Sequence, residues 1–327
     1  MLIPKDNLEN CPLVILNPAS EFGPALLKDR NLYDVKFLTT GGYPSFEYNV
    51  LLGYNEDGYT GSFNKNGISK NMCLICEERG DAIALVDHTN HKYRRLTGTN
   101  SVFESLNIFS TPDNNLASAY AAMFTPWVQY SGVNSGAYPG SFAYLVTLAE
   151  AVKGNPSWLA VAGVQRGVVP GITSLETNQK ITEALANSLM PANGISINPI
   201  TKINPYGFTI WGNRTLLNNQ GYDKASSFLN LRNLSTEVKK RVYAACKALM
   251  FEQNSDILWI NFKAKILPLL DEMCTSAGIS DYKIERVPTT KNTKVIATIT
   301  LYPIYAVEEF EINVVLYDSE ETVIIEE

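Results

Sequence analysis

The stretch FLNLRNLSTEVKKRVYAACKALMFEQNSDILWINFKAKILPLLDEMCTSAGISDYKIERVPTTKNTKVIATITLYPIYAVEEFEINVVL, residues 228–316, decides how the chain is organised. It holds two amphipathic helical patterns followed by alternating strand patterns. In the first helix Val238, Val242, Ala245 and Leu249 recur at helical spacing, while Lys239, Lys240, Arg241 and Lys247 fall on other faces. Ser235 is the candidate cap, its hydroxyl accepting a free N–H of the first turn. In the second helix Trp259, Phe262, Ile266, Leu269, Leu270 and Met273 form the apolar stripe, with Asp256 as candidate cap and Gly278 as stop. Pro268 lies inside this pattern and is expected to kink or divide it, since it has no N–H to donate. Residues 295–303 and 308–317 are read as strands of one small sheet.

Upstream, residues 1–32 read as an extended segment punctuated by Pro4, Pro12, Pro18 and Pro24. YDVKFLTTGGYPSFE (33–47) gives a strand and a Gly-Gly turn. GISKNMCLICEERG (67–80) reads as a helix with Ile68, Met72, Ile75 and Cys76 inward, and DAIALVDH (81–88) as a short apolar strand. That rhythm is the one of a parallel sheet. A helix is expected around 114–123, leading into FTPWVQY (124–130). PGSFAYLVTLAEAVKG (139–154) and LETNQKITEALANSLM (175–190) read as further helices, and GISINPI (194–200) as a strand. The pattern breaks over 201–227. The expected organisation is therefore an extended segment (1–32), an α/β domain (33–205) and an α+β domain of two helices and a small sheet (206–327).

The 327 residues suffice to bury a sizeable core. A net charge of −6 disfavours nucleic acid as the main partner, because phosphate neutralisation needs clustered Lys and Arg. The five cysteines, Cys11, Cys73, Cys76, Cys246 and Cys274, are too sparse for a disulfide framework. No signal peptide is seen at the start, and no apolar run reaches the ~18–20 residues that span a bilayer.

Sites of chemistry are few. Nucleophilic catalysis needs a base within hydrogen-bond reach, and the only histidines are His88 and His91; no G-x-S-x-G elbow is present. His88 and His91, with Asp87 beside them, fall short of a metal ligand set. Cys73 and Cys76 lie on the apolar side of their helix, where cysteine acts as a small hydrophobe. GVQRGVVPG (163–171) matches no phosphate-binding fingerprint and reads as a surface loop. Trp211, Asn213 and Arg214 of WGNRT read as hydrogen-bonding residues that hold the domain junction. In the tail DSEETVIIEE (318–327), Thr322, Val323, Ile324 and Ile325 form a β-prone segment between acidic flanks, suited to pairing with another chain.

GFTIWGNRTL (207–216), FLNLRNL (228–234), ALMFEQNSDILW (248–259) and VIATITLYPIYAVEEFEINVVL (295–316), in this order, resemble the C-terminal domain of contractile tail sheath proteins from tailed phages and related injection machines. The YDVKF and GGYP pieces at 33–44 are similar to the opening of that family's large α/β domain. One departure is that no extended arm of the PGVYVEE type is found before Tyr33. The resemblance implies a non-catalytic, subtilisin-like α/β domain and a structural role without cofactors. The subunit would polymerise helically around an inner tail tube, meet baseplate and tail terminator proteins, and contract to drive the tube through an envelope. It would sit in a virion tail assembled in a host bacterial cytoplasm, without nucleic-acid binding or membrane insertion. Thr322 to Ile325 would be the inter-subunit arm. Val295, Ala297, Ile299, Phe310, Ile312 and Val314 would belong to the sheet accepting neighbours' arms, and Lys239, Arg241, Lys263 or Lys265 would face the tube. The alternative reading is an α/β hydrolase with an appended domain.

Overall fold

The computed structural model describes residues 27–39, 41, 68–87, 117–131, 135–177, 180–191, 193–217, 219–220 and 224–308. The strands, in chain order, are β1 (Phe37–Thr39), β2 (Ile83–Asp87), β3 (Ala121–Thr125), β4 (Val128–Tyr130), β5 (Gly136–Tyr138), β6 (Ile172–Leu175), β7 (Asn193–Gly194), β8 (Asn198–Ile203), β9 (Gly207–Ile210), β10 (Asn219–Gln220), β11 (Ile279–Val287) and β12 (Ile296–Pro303). The helices are α1 (Ile68–Arg79), α2 (Gly140–Ala151), α3 (Gly163–Arg166), α4 (Glu183–Ser188), α5 (Leu229–Lys247) and α6 (Asp256–Thr275).

A five-stranded sheet ordered β1–β2–β3–β8–β9 carries the first half. Its first three pairings are parallel and the last, β8 with β9, is antiparallel. Every residue of β2 and β3 is buried, as a strand covered on both faces requires. Ala84, Val86, Ala121 and Met123 pack with Met72, Cys73 and Cys76 of α1. The alternate residues Ile83, Leu85, Ala122 and Phe124 pack with Tyr144 and Leu148 of α2. This period-two division between faces fixes the register.

It also explains why the helix expected around 114–123 is a strand from Ala121 onward: burial between β2 and β8 outweighs alanine's helix preference. The helix expected over 175–190 contracts to α4, capped where Thr182 Oγ1 accepts from Leu185 N, after β6 ends at Leu175. The strand expected at 194–200 begins at Asn198 and runs on to Ile203. Because β9 then pairs back onto it, the sheet continues through Ile210, past the boundary expected at 205. A three-stranded antiparallel sheet, β5–β4–β6, lies apart from the main one.

In the second half α5 begins at Leu229, so Ser235 lies within it rather than capping it. Its N-terminus is satisfied from elsewhere in the chain. The Asn213 carbonyl accepts from Leu229 N (2.9 Å), and Asn213 Oδ1 from Asn230 N (3.2 Å). Ser255, not Asp256, caps α6, its hydroxyl accepting from Leu258 N. Pro268 does not divide α6. It and Ala264, four residues before it, are exposed, so the gap in the hydrogen-bond ladder faces solvent.

Leu234 and Val238 of α5 pack on Phe262, Ile266, Leu269, Leu270 and Met273 of α6, with Trp158 reaching in from the first half. The antiparallel hairpin of β11 and β12 lays Tyr282, Ile284, Ile299 and Leu301 over this core. The described partner of β12 is β11, whose DYKIERV alternation faces the helices. Consecutive strands pair most readily. Residues 309–317 lie outside the described residues.

The end of α6 sets two opposed constraints. Gly278 N donates to Met273 O (2.8 Å) and Ala277 N to Cys274 O (3.3 Å), with Ala277 at φ 58°. A Cβ on Gly278 would lie 2.7 Å from the Trp158 indole. Ala277→Gly should therefore stabilise the protein by about 0.5–1 kcal/mol, relieving a left-handed alanine. Gly278→Ala should destabilise it by about 1–3 kcal/mol through overpacking. Urea unfolding of both variants checks the opposite signs.

Candidate assembly surfaces and the junction behind them

Three asparagines join the halves. Asn198, on β8, donates from Nδ2 to the carbonyls of Met123 (3.0 Å) and Arg214 (2.8 Å) and accepts from Arg214 N at Oδ1 (2.7 Å). Asn213 Nδ2 donates to Asn230 Oδ1 (2.7 Å), and Asn230 Nδ2 reaches the Trp158 carbonyl (3.4 Å). All three asparagines are buried, where a satisfied amide is stable and an unpartnered one is expensive. Asn213 and Arg214 of WGNRT thus tie β8 to the head of α5, and Asn198, which the sequence pattern did not single out, is at the centre of these bonds. The Arg214 guanidinium lies 4.2 Å over the Phe228 ring, Tyr305 meets that ring edge-on at 5.2 Å, and Arg214 pairs with Glu308.

The basic run of α5 is engaged within the molecule. Lys239 Nζ bonds the Tyr120 hydroxyl (2.8 Å), and Lys240 pairs with Asp34. Arg241 meets Glu237 (2.9 Å) and Glu272 (3.8 Å). Burial raises the Glu237 carboxyl, but hydrogen bonds and charge from Arg241 and Lys36 outweigh it, so Glu237 sits below the usual range. On Tyr120 burial is likewise overcome by Lys239 and Arg232, and the phenol is lowered. On α6, Lys263 lies 6.0 Å over Trp259 and Lys265 is exposed.

In the hairpin Val295 and Ala297 are exposed, whereas Ile299 is turned into the helical core. Phe310, Ile312, Val314 and Thr322 to Ile325 lie outside the described residues, as do Cys11, His88 and His91. Asp87 is occupied as a helix cap, accepting from Ser141 N and Ser141 Oγ, both at 2.8 Å. Cys73 and Cys76 are buried thiols, and burial, with Cys73 adding to it, pushes the Cys76 thiol far up. Among the described residues no cluster of His, Cys, Asp and Glu could hold a metal, and no helix is long and apolar enough to cross a membrane. The helical stripes did not reveal the turn between α5 and α6, where Phe251 is 99% exposed at φ 69° beside exposed Met250, Ile257 and Ile260. The only sequence signal for it is the break in periodicity after Leu249.

No family model matches the chain. Over 147 residues it is 27% identical to the tail sheath protein of Vibrio phage KVP40, a match covering 44% of this chain and 20% of that protein. The chain thus aligns with about a fifth of its curated relative. Its structure is similar to that of the PVC sheath complex, an extracellular contractile injection system in its contracted state. The TM-score is 0.65 at 20% identity, over 91% of this chain and 76% of that one. The contracted helical sheath of the anti-feeding prophage matches at TM-score 0.53 and 17% identity, over 77% and 66% of the respective chains. The contracted baseplate assembly of that prophage matches at TM-score 0.59 and 18% identity, over 77% and 64%. The mixed α/β fold of this chain is therefore that of contractile sheath subunits.

The asparagine network gives a pH-dependent test. Asn198→Ala should destabilise the protein by about 2–4 kcal/mol, since it strands several buried partners. In Asn198→Asp a carboxylate would face two carbonyl oxygens, so its folded pKa should rise above the unfolded value of about 3.9. Its deficit relative to wild type should be smallest below about pH 4 and should grow as pH rises through the folded pKa. Urea midpoints of both chains across pH 3.5–7 read this out.

Proposed function

We propose that this chain is a structural subunit of a contractile sheath, many copies of which form a helical cylinder around an inner tube and shorten to drive that tube through a target envelope. The observation that carries this reading is the match to a contracted sheath over 91% of the chain, in line with the sequence similarity to a phage tail sheath protein. The reading includes a subtilisin-like, non-catalytic character for the α/β half, and the α1–sheet–α2 layering supports it. Its partners are further copies of the chain, the tail tube protein, and baseplate and tail terminator proteins, in a tail assembled in a bacterial cytoplasm.

A head-to-tail contact that does not close into a ring generates an open helix, so one interface type can build a long cylinder. Contraction then repacks nearly rigid bodies. Rigidity of the body is supported by the buried amide network across the junction. Linkage between bodies falls to Thr322, Val323, Ile324 and Ile325, adding as a strand to a neighbour's sheet that contains Val295, Ala297 and Ile299 and extends to Phe310, Ile312 and Val314. The tube-facing charges are better sought in Lys263 and Lys265 of α6, because Lys239 and Arg241 are spent on contacts within the chain.

Negative-stain electron microscopy of the concentrated full chain, beside a copy ending at Asp318, tests both parts. Tubes or rings from the full chain and none from the shorter copy are expected. Monodisperse particles from the full chain, even with the inner tube protein added, would refute the sheath reading. Tubes from both copies would refute linkage through 319–327.

A further inference from the structure

Two short segments lie at the ends of the described body, one fastened to α5 and the other to Phe228, the residue before it, and to Arg214. On the entry side, residues 27–36 run from the end of α1 to the middle of α5. Arg79, whose side chain is 0% exposed, donates to the carbonyls of Leu27 (2.6 Å) and Tyr33 (3.0 Å) and through Nε to Asp81 (2.9 Å). Arg30 donates to the Arg79 carbonyl and lies 5.5 Å over the Tyr243 ring. Asp34 pairs with Lys240, and Lys36 bonds both Glu237 and Ser157, each at 3.2 Å. On the exit side, the chain leaves β12 and passes the head of α5. There Tyr305 stacks edge-on against Phe228, and Glu308 pairs with Arg214.

The order of these contacts along the chain matters. The entry contacts precede or adjoin β1, which is only three residues long and is paired in the described sheet to β2 alone. The exit contacts follow β12. A pull applied to the described body at residue 27 or at residue 308 therefore meets salt bridges, buried carbonyl bonds and stacked rings before it reaches β1 or β12. The entry contacts end on α5 at Glu237, Lys240 and Tyr243, and the exit contacts on Phe228, the residue before that helix, and on Arg214. That helix is in turn held at its N-terminus by Asn213 and along Leu234 and Val238 by α6.

We propose that residues 27–36 and 304–308 are paired tension anchors, which carry a pull exerted by neighbouring copies of this chain into α5 and the residues at its head and spare β1 and β12. The proposal rests on the sheath reading, since linked neighbours supply the pull. β1 and β12 would stay paired while terminal segments are stretched, so a body could rotate without unravelling at its edges. Arg79 is the fixed point of the entry anchor, because its guanidinium is saturated by Asp81 and two carbonyls of the incoming segment.

Single-molecule pulling of the full chain between handles at residues 27 and 308 tests this without any assembly. In the wild type, the first extension step should coincide with opening of the α5–α6 core. Asp34→Asn with Lys36→Ala, or Tyr305→Ala with Glu308→Gln, should add an earlier step and speed the first extension by about five- to tenfold at constant force. Lys153→Ala, which removes the exposed 2.6 Å pair with Glu150, should leave the trace unchanged. The single variants Asp34→Asn and Glu308→Gln, isosteric and near the surface, keep the test valid if a double variant does not fold. Each should give a smaller acceleration in the same direction. Anchor variants that extend like the wild type, or a Lys153 variant that accelerates as much, would overturn the proposal. Tube formation by the wild type judges the sheath reading separately.

Discussion

The rest of the structure depends on three buried side-chain amides. Asn198 stands on a strand, Asn213 in an irregular turn and Asn230 at the head of a helix, and their bonds leave little freedom in how the α/β and α+β halves meet. An amide can donate and accept at once, so it can bind a carbonyl and an N–H of the same neighbouring turn. Asn198 does so with Arg214, and the turn then presents Asn213 to the first N–H groups of α5. A carboxylate would lack the donors and an apolar residue would strand the partners. The junction thus tolerates little besides asparagine at its centre.

Around this junction the contacts change character with depth. At the centre they are neutral amides; outward come Arg214 on Phe228, Arg232 and Lys239 on Tyr120, and then a half-buried ion pair on Glu237 and an exposed one on Asp34. Buried amides resist salt and define geometry, whereas exposed pairs are individually weak and screened. A seam built this way is rigid at its axis and adjustable at its rim. The helical hairpin projects from the seam with an exposed, left-handed Phe251 at its turn. Its stability rests on the Trp158, Leu234 and Met273 core at the opposite end.

The hairpin of β11 and β12 shows how one face decides a strand's fate. Tyr282, Ile284, Ile299 and Leu301 cover the helices, while Asp281, Lys283, Glu285 and Tyr302 look outward. Its inner face completes a core and its outer edge carries backbone groups available for further pairing. The sequence reading placed a strand at 295–303 and did not single out β11, since the alternation in DYKIERV is shorter and more charged than that of VIATITLY.

Much of the fold was legible in local pattern. The stripes of α5 and α6, the helix of 139–154, the apolar strand at 81–88 and the inward thiols of Cys73 and Cys76 follow from periodicity, because each buries one face against one partner. The residue types of WGNRT marked Asn213 and Arg214 as hydrogen-bonding positions. What periodicity did not reveal depended on distant partners. Ala121–Thr125 became a strand because two other strands enclose it, and α5 started at Leu229 because Asn213 supplies its cap. Asn198 gained its role from two carbonyls far along the chain. By itself the sequence determined which faces are apolar and where the helices of the second half lie. Only the tertiary structure decided which backbone groups those faces bring within hydrogen-bond reach, because hydrogen bonds are short-ranged and directional and exist only once packing has fixed the distance.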